Sequence, residues 1–318
     1  MSLMSGILQI LIGTAAVTGG ATSYTPTQKA IFGYGYSGSY VLLSQTNLIS
    51  SLGVASSDTT GVGTARYYLA AAGYGGDKAI IGFGNSSLGY TAITNLVSNL
   101  GVVASDVTGA GTASRELAAA GYGSDKAIFG FGYQSAGITN VTNLVSNTGV
   151  VASDTTGIGT LRSNLAAARY GDDKAIFGYG RNQNGTYLSL TNLVSNVGVV
   201  SSDVAGVGTV RGGLGSACYG TGKAVFFGGQ NNSSSSMNIA NLVSNTGVVS
   251  SDTSYNKGRY LNAGSGYGGD KAIFAYGWGS SGVLSDSTLI SNTGSFAGEG
   301  SSVGTGKAYG CAAGYSLT

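Results

Sequence analysis

Any acid–base chemistry in this chain would have to run without histidine, which is absent. The commonest general base and metal ligand of the neutral range is therefore missing. Carboxylates are left. Glutamate occurs only as Glu116 and Glu299, and Asp286 is an aspartate outside the pattern that recurs along the chain. Two carboxylates at a suitable separation can hydrolyse a glycosidic bond, so a polysaccharide hydrolase or lyase with an acidic pocket is one alternative. The other acidic residues are mostly single, apart from Asp172 and Asp173, and no Ca2+-loop spacing occurs. Cys218 and Cys311 lack the spacing of a disulfide framework or a metal cluster and read as small buried apolar residues. The expectation is a protein that is not an enzyme and carries no cofactor and no metal.

The charges instead look structural. An acidic and a basic residue recur together as Asp58 with Arg66, Asp154 with Arg162, Asp203 with Arg211, Asp252 with Arg259 and Glu299 with Lys307. In the remaining copy Asp106 stands opposite Ser114, with Arg115 one place along. Each pair is expected to clasp a loop, by ion pairing or by aspartate capping of backbone amides. Exposed pairs of this kind contribute only ~0–1 kcal/mol, so their role would be geometric. Charged residues make up 9% of the chain, and the net charge of +2 comes without a basic cluster. Nucleic acid is therefore not an expected partner.

These charges recur because the chain does. The segments QKAIFGYG, DKAIIGFG, DKAIFGFG, DKAIFGYG, GKAVFFGG and DKAIFAYG carry Lys29, Lys78, Lys126, Lys174, Lys223 and Lys271, at spacings of 49, 48, 48, 49 and 48. Periods of about 40–50 residues with several short strands mark propellers. One unit, residues 64–106, holds four strand-like runs: TARYYLAAAGY, DKAIIGFG, YTAITNLVS and GVVAS. Gly-Gly-Asp turns join the first two, and Ser-Asn-x-Gly turns join the last two. In the second run, alternation puts Ala30, Phe32 and Tyr34 on one face and Ile31, Gly33 and Gly35 on the other. A bulky face can then lie on the bare face of a neighbour. The chain opens with a second run that has no first run before it, and it closes with VGTGKAYGCAAGY, a first run with no second run after it. Together they complete one unit. The expected fold is an all-β, six-bladed β-propeller with four antiparallel strands per blade, closed by the C-terminal strand completing the first blade.

The pattern Arg-x-x-Leu-x-Ala-x-x-Tyr-x-x-x-Lys-Ala, followed by a hydrophobic strand and glycines, resembles a kelch-type repeat over residues 27–318. The nearest match is residues 211–229, where Arg211 precedes a strand ending in Gly228-Gly229. A kelch-type copper oxidase would need histidine ligands, which composition excludes. The TNLVSNTGVV-type strands and the opening Met-Ser-Gly-Ile-Leu-Gln are similar to tail, fibre or head-associated virion proteins of environmental tailed phages. That resemblance implies a virion location, multiple copies per particle and other virion proteins as partners.

Comparing the internal copies separates scaffold from decoration. The links between second and third runs vary freely: YSGSY, NSSLGY, YQSAG, RNQNGTY, QNNSSSSMN and WGSSGV. Their polar and aromatic residues suit adaptable contacts and stacking on sugar rings. The candidate ligand-binding residues are Tyr40, Asn85, Tyr90, Tyr133, Gln134, Arg181, Asn182, Asn184, Tyr187, Gln230, Asn231, Asn232 and Trp278. Residues 1–26 stand outside the repeat. Their apolar run, residues 3–17, is too short for a membrane span of ~20 residues, and they are expected to pack on the propeller or to dock into a neighbouring virion subunit. The functional expectation is a non-enzymatic phage virion protein that presents its loop face to a host surface, possibly to a glycan. A decoration protein contacting only virion proteins is the other structural alternative.

Overall fold

The computed structural model describes residues 24–233, 236–302 and 304–318. The expected docking segment 1–26 therefore lies outside the described residues except for Tyr24, Thr25 and Pro26. The described chain is all-β, with no helix and hence no helix able to cross a membrane.

Five successive units each lay three strands side by side, antiparallel. They are Ala70–Tyr74, Lys78–Gly82 and Thr94–Val97; then Ala118–Tyr122, Lys126–Gly130 and Thr142–Val145; then Ala166–Tyr170, Lys174–Gly178 and Thr191–Val194. Gly215–Tyr219, Lys223–Phe227 and Ile239–Val243 follow, and then Ala263–Tyr267, Lys271–Ala275 and Ser287–Ile290. A sixth sheet joins the ends of the chain. Lys29–Ser37 pairs with Leu42–Ile49 on one side and with Cys311–Tyr315 on the other, in the register Lys29 with Tyr315 to Gly33 with Cys311. The two end runs thus meet as the sequence implied.

The fourth run is a continuous strand only at Phe296–Gly300 and a two-residue strand at Thr253–Ser254. Elsewhere it is tied down by isolated bridges, such as Val97 with Val103 and Thr94 with Val107. The expected four full strands are corrected by one extra residue on the outer side of this pairing, which breaks the ladder. The side chain of Asn95 takes up the slack, donating to the carbonyl of Ala104 at 3.0 Å.

The first strand of each sheet contacts its counterpart in the next. The order runs from Ala70–Tyr74 through Ala118–Tyr122, Ala166–Tyr170, Gly215–Tyr219 and Ala263–Tyr267 to Cys311–Tyr315, and from there back to Ala70–Tyr74. Backbone hydrogen bonds follow the same circuit. The amides of Gly75, Gly123, Gly171, Gly220, Gly268 and Ser316 donate to the carbonyls of Asp125, Asp173, Gly222, Asp270, Gln28 and Asp77 at 2.7–2.8 Å. Those of Gly35, Gly84, Gly132, Gly180, Gly229 and Gly277 donate to Arg66, Ser114, Arg162, Arg211, Arg259 and Lys307 at 2.8–2.9 Å. At Gly35, with φ of 97°, a Cβ would lie 2.3 Å from the Ala308 carbonyl oxygen, so the close approach requires glycine.

Between sheets, bulky side chains sit on bare positions. A Cβ added to Gly82, Gly130 or Gly178 would meet the ring of Phe129, Phe177 or Phe226 at 2.9, 3.0 or 2.8 Å. The expected alternation fails at one place. Ala30 and Phe32 pack with Ile273 and Tyr276, but Tyr34 joins Ile31 against Ala79 and Ile81. Its φ of 62° and the register shift between Gly33 and Gly35 turn the side chain to the opposite face.

Candidate functional site

The recurrent basic residues are buried while their acidic counterparts stay half-buried or exposed, and the partners differ from those expected. Arg66 has no exposed surface. It donates to Asn95 Oδ1 at 2.5 Å, Asn95 Nδ2 donates to Asp106 Oδ1 at 2.8 Å, and Asp106 accepts from the amide and hydroxyl of Thr64. Arg162, Asn192, Asp203 and Thr160 repeat the set, as do Arg211, Asn241, Asp252 and Thr209. Lys307, Asn47, Asp58 and Thr305 do so across the chain ends, with Lys307 Nζ 3.6 Å from Asp58. The expected pairs Asp58/Arg66, Asp154/Arg162, Asp203/Arg211, Asp252/Arg259 and Glu299/Lys307 are therefore each displaced by one unit. The link between them runs from the outside of one sheet to the inside of the next, so its two ends serve different sheets. Where Ser114 replaces the base, Asp154 keeps only Thr112 and Asn143. At Arg259, Thr288 replaces the asparagine and the longer Glu299 replaces the aspartate, 3.6 Å away, while Asp286 contacts Arg259 at 3.4 Å and Lys257 more closely.

Burial alone would raise Asp106, Asp203 and Asp252, but hydrogen bonds from Thr64, Thr160 and Thr209 and from the asparagines hold these carboxyls below their usual range. Burial pulls Arg162 down to about 10, against the attraction of Asp203. Four of the buried cations also lie over a ring, for example Arg211 over Tyr179 at 4.1 Å and Arg162 over Phe131 at 4.9 Å.

The variable links gather on the opposite face from the Gly75-type turns. Several of their polar groups hold the links themselves. Asn182 Oδ1 accepts the amides of Asn184 and Thr186 at 3.0 Å, and Asn231 bridges Val210 and Ser233. Asn85 Nδ2 donates to the Tyr67 hydroxyl at 2.7 Å, and Gln230 pairs with Gly212. Asn184, Tyr187, Asn231 and Asn232 share the lining of a separate depression of about 310 Å3 with residues of the same links and Val210. Tyr40 lies 6.4 Å from Trp278, and Tyr90 lies 6.1 Å from Tyr133, with Gln134 beside it in the same hairpin. Arg181 reaches inward to Glu116 at 3.4 Å.

That inward contact leads to a column of residues of which only Glu116 stands out in the sequence, as a rare carboxylate. Tyr68, Glu116, Asn164, Gly213, Leu261 and Tyr309 occupy one position in six successive units. All have positive φ, between 53° and 65°. Each amide donates to the carbonyl of the preceding member, Tyr68 to Tyr309 included, at 2.5–3.0 Å. A left-handed non-glycine residue costs ~1–2 kcal/mol, and a hydrogen bond returns ~0.5–1.5 kcal/mol. The two nearly cancel, so large side chains at this position are not explained by stability. They surround a cavity of about 120 Å3 on the common axis of the first strands.

Its walls are unequal. On one side Tyr68 and Tyr309, 4.5 Å apart, line it, and behind them stand Tyr36 and Tyr67, 4.4 Å apart. On the other, buried Glu116 accepts from Asn164 at 2.8 Å and lies 3.5 Å from Arg115. Arg115, displaced from the buried clasp by Ser114, stands over Tyr68, Tyr90 and Tyr133 at 5.6, 5.0 and 5.2 Å. The side-chain amide of Asn262, also in the lining and only 6% exposed, has neither polar atom bonded among the described residues. The signal was available: this column varies from copy to copy as the links do, ahead of a run of mostly small residues that ends in tyrosine in every copy.

A second cavity, of about 80 Å3, continues along the axis towards the glycine turns and is lined by Tyr24, Thr27 and Arg169. Arg169 stands over the Tyr24 ring at 4.0 Å. Cys218 lines this cavity and is only half-buried, whereas Cys311 is buried as expected; both are free thiols. Among the described residues, no group of three or more histidine, cysteine, aspartate or glutamate side chains is placed to hold a metal ion. No protein-family model matches the chain, and no curated protein is similar to it.

Proposed function

We propose that the six sheets form a closed six-bladed, kelch-like β-propeller, and that the chain is a non-enzymatic module binding a glycan at the axial mouth of its variable-link face. The closed circuits of backbone hydrogen bonds support the ring. The observation that carries the binding reading is the mouth itself: exposed Tyr40 and half-buried Trp278, Tyr90 and Tyr133 lead to a cavity whose polar lining includes Glu116, Asn164 and unbonded Asn262. Aromatic faces stack on sugar rings, and fixed polar groups take hydroxyls. The carboxylates that could hydrolyse a glycosidic bond are engaged elsewhere, Glu116 with Asn164 and two arginines, Asp286 with Lys257 and Arg259.

Tyr24 lines the cavity at the far end of the axis from this mouth. That polarity suits a phage virion protein anchored through its first 26 residues, with the mouth turned to the host surface. A glycan array tests the reading. Wild-type protein should bind a defined set of features, and Trp278→Ala or Tyr40→Ala should weaken all of them. Absence of binding to every glycan, with retained incorporation into particles, would favour the decoration role instead.

A further inference from the structure

We infer that the mouth recognises an acidic sugar through its carboxylate, held by Arg115 and Arg181. This deepens the glycan reading and rests on it. Two guanidinium groups flank one buried carboxylate, Glu116, at 3.5 and 3.4 Å. The local sum is one uncompensated positive charge beside an axial cavity. Glu116 meets one terminal nitrogen of each arginine; Nε of both is buried without a partner among the described residues, so the donors that can face a ligand are on the terminal nitrogens. A guanidinium has five N–H donors in a planar fork that matches a carboxylate. Donors are therefore left for a second, incoming carboxylate.

Position makes this more than a surface charge. Arg115 is pinned over three tyrosine rings, and its side chain is only 24% exposed. Arg181 belongs to a variable link and stays accessible. Glu116 anchors both from below and is itself fixed by Asn164. A ligand carboxylate at the arginines would leave its ring beside Tyr90 and Tyr133, where a pyranose can stack. A neutral glycan would leave the arginine donors to water.

The test uses the full chain on an array of uronic-acid, sialylated, sulfated and neutral glycans. The array is printed once with carboxylates free and once with them converted to methylamides. Binding to free-acid features, lost at least tenfold on amidation, is the expected result. Arg181→Gln should reproduce that loss, with an unchanged melting temperature. Glu116→Gln removes the competing carboxylate and should strengthen binding to the free acids, whereas a purely structural Glu116 would give only loss. Equal binding before and after amidation, or preference for sulfated features, would overturn the carboxylate site while leaving the glycan reading intact. Absence of binding to any feature would overturn both.

Discussion

The amide of Tyr68 donates to the carbonyl of Tyr309, 2.9 Å away, and so joins residues from near the two ends of the chain. The two ends are also joined by Cys311–Tyr315 pairing with Lys29–Gly33 and by Ser316 donating to Asp77. Chain termination after Thr305 would remove all of these and leave Ile31, Tyr34, Ala79 and Ile81 without Cys311, Ala313 and Tyr315 against them. Burial of each large apolar side chain contributes ~1.5–3 kcal/mol, and a whole domain has only about 5–15 kcal/mol to lose. The truncated chain should therefore lose cooperative thermal unfolding, and a peptide of residues 306–318 should restore it. A truncated chain that melts as sharply as the full one would contradict closure through the C-terminal strand.

The buried clasps differ in kind from surface ion pairs. Each hides its cation completely while the carboxylate stays partly in water, so truncating the cation loses packing and the donors to buried acceptors, at a cost of about 2–5 kcal/mol. Arg162→Ala should fall in that range in urea unfolding, because it leaves a cavity and strips Asn192 and the carbonyls of Tyr179 and Leu190 of their donor. Ser114→Ala, at the one position where the base is already missing, should cost less than about 1 kcal/mol, since only its local bonds to Thr112 and Gln134 are lost. Equal costs at the two positions would show that the arginine chain does not matter.

The fold was legible because each unit repeats its pattern and both ends carry halves of one unit. Tyr34 escaped because period-two alternation assumes extended backbone, and a left-handed residue breaks it. Charge partners escaped for a topological reason: proximity in sequence put Asp58 with Arg66, whereas the chain crosses between sheets in that interval. The mouth residues were hidden in a stretch that reads as scaffold. Glu116 was noticed only as a rare carboxylate, and nothing linear brings it to Arg181.

Acid should unfold the protein through the clasp aspartates. Asp58, Asp106, Asp154, Asp203 and Asp252 all have folded-state pKa values below their ordinary one, because the threonine and asparagine hydrogen bonds outweigh burial. The native state then binds fewer protons than the unfolded state in this range. Their contribution is fully present above the unfolded value of about 4 and is lost as pH falls through the lower folded values. Unfolding free energy should be flat from neutral pH to about 5 and should drop below about 4. Asp203→Asn should shallow that drop, which urea titrations at successive pH values would measure. A slope unchanged by this substitution would remove Asp203 from the acid transition.

The two thiols should report separately on the axis. Burial pushes Cys311 up to about 12, opposed by Arg66 and Lys307, and burial likewise raises Cys218. Thiolate is the reactive form, so both should resist alkylation at pH 8 while the fold holds. They are shielded differently. Cys311 borders the other axial cavity, at the mouth end, but is packed between sheets among Ile31, Tyr34 and Leu69. Cys218 lines the axial cavity behind Tyr24 and Arg169. Deleting residues 1–26 removes Tyr24 and opens that end of the axis. Labelling of Cys218 with a maleimide should then accelerate at least tenfold, while Cys311 stays protected until denaturant is added. Mass spectrometry of the tryptic peptides separates the two sites. Simultaneous labelling of both would mean that the deletion loosened the sheets themselves, and protection of both would mean that Tyr24 does not close the axis.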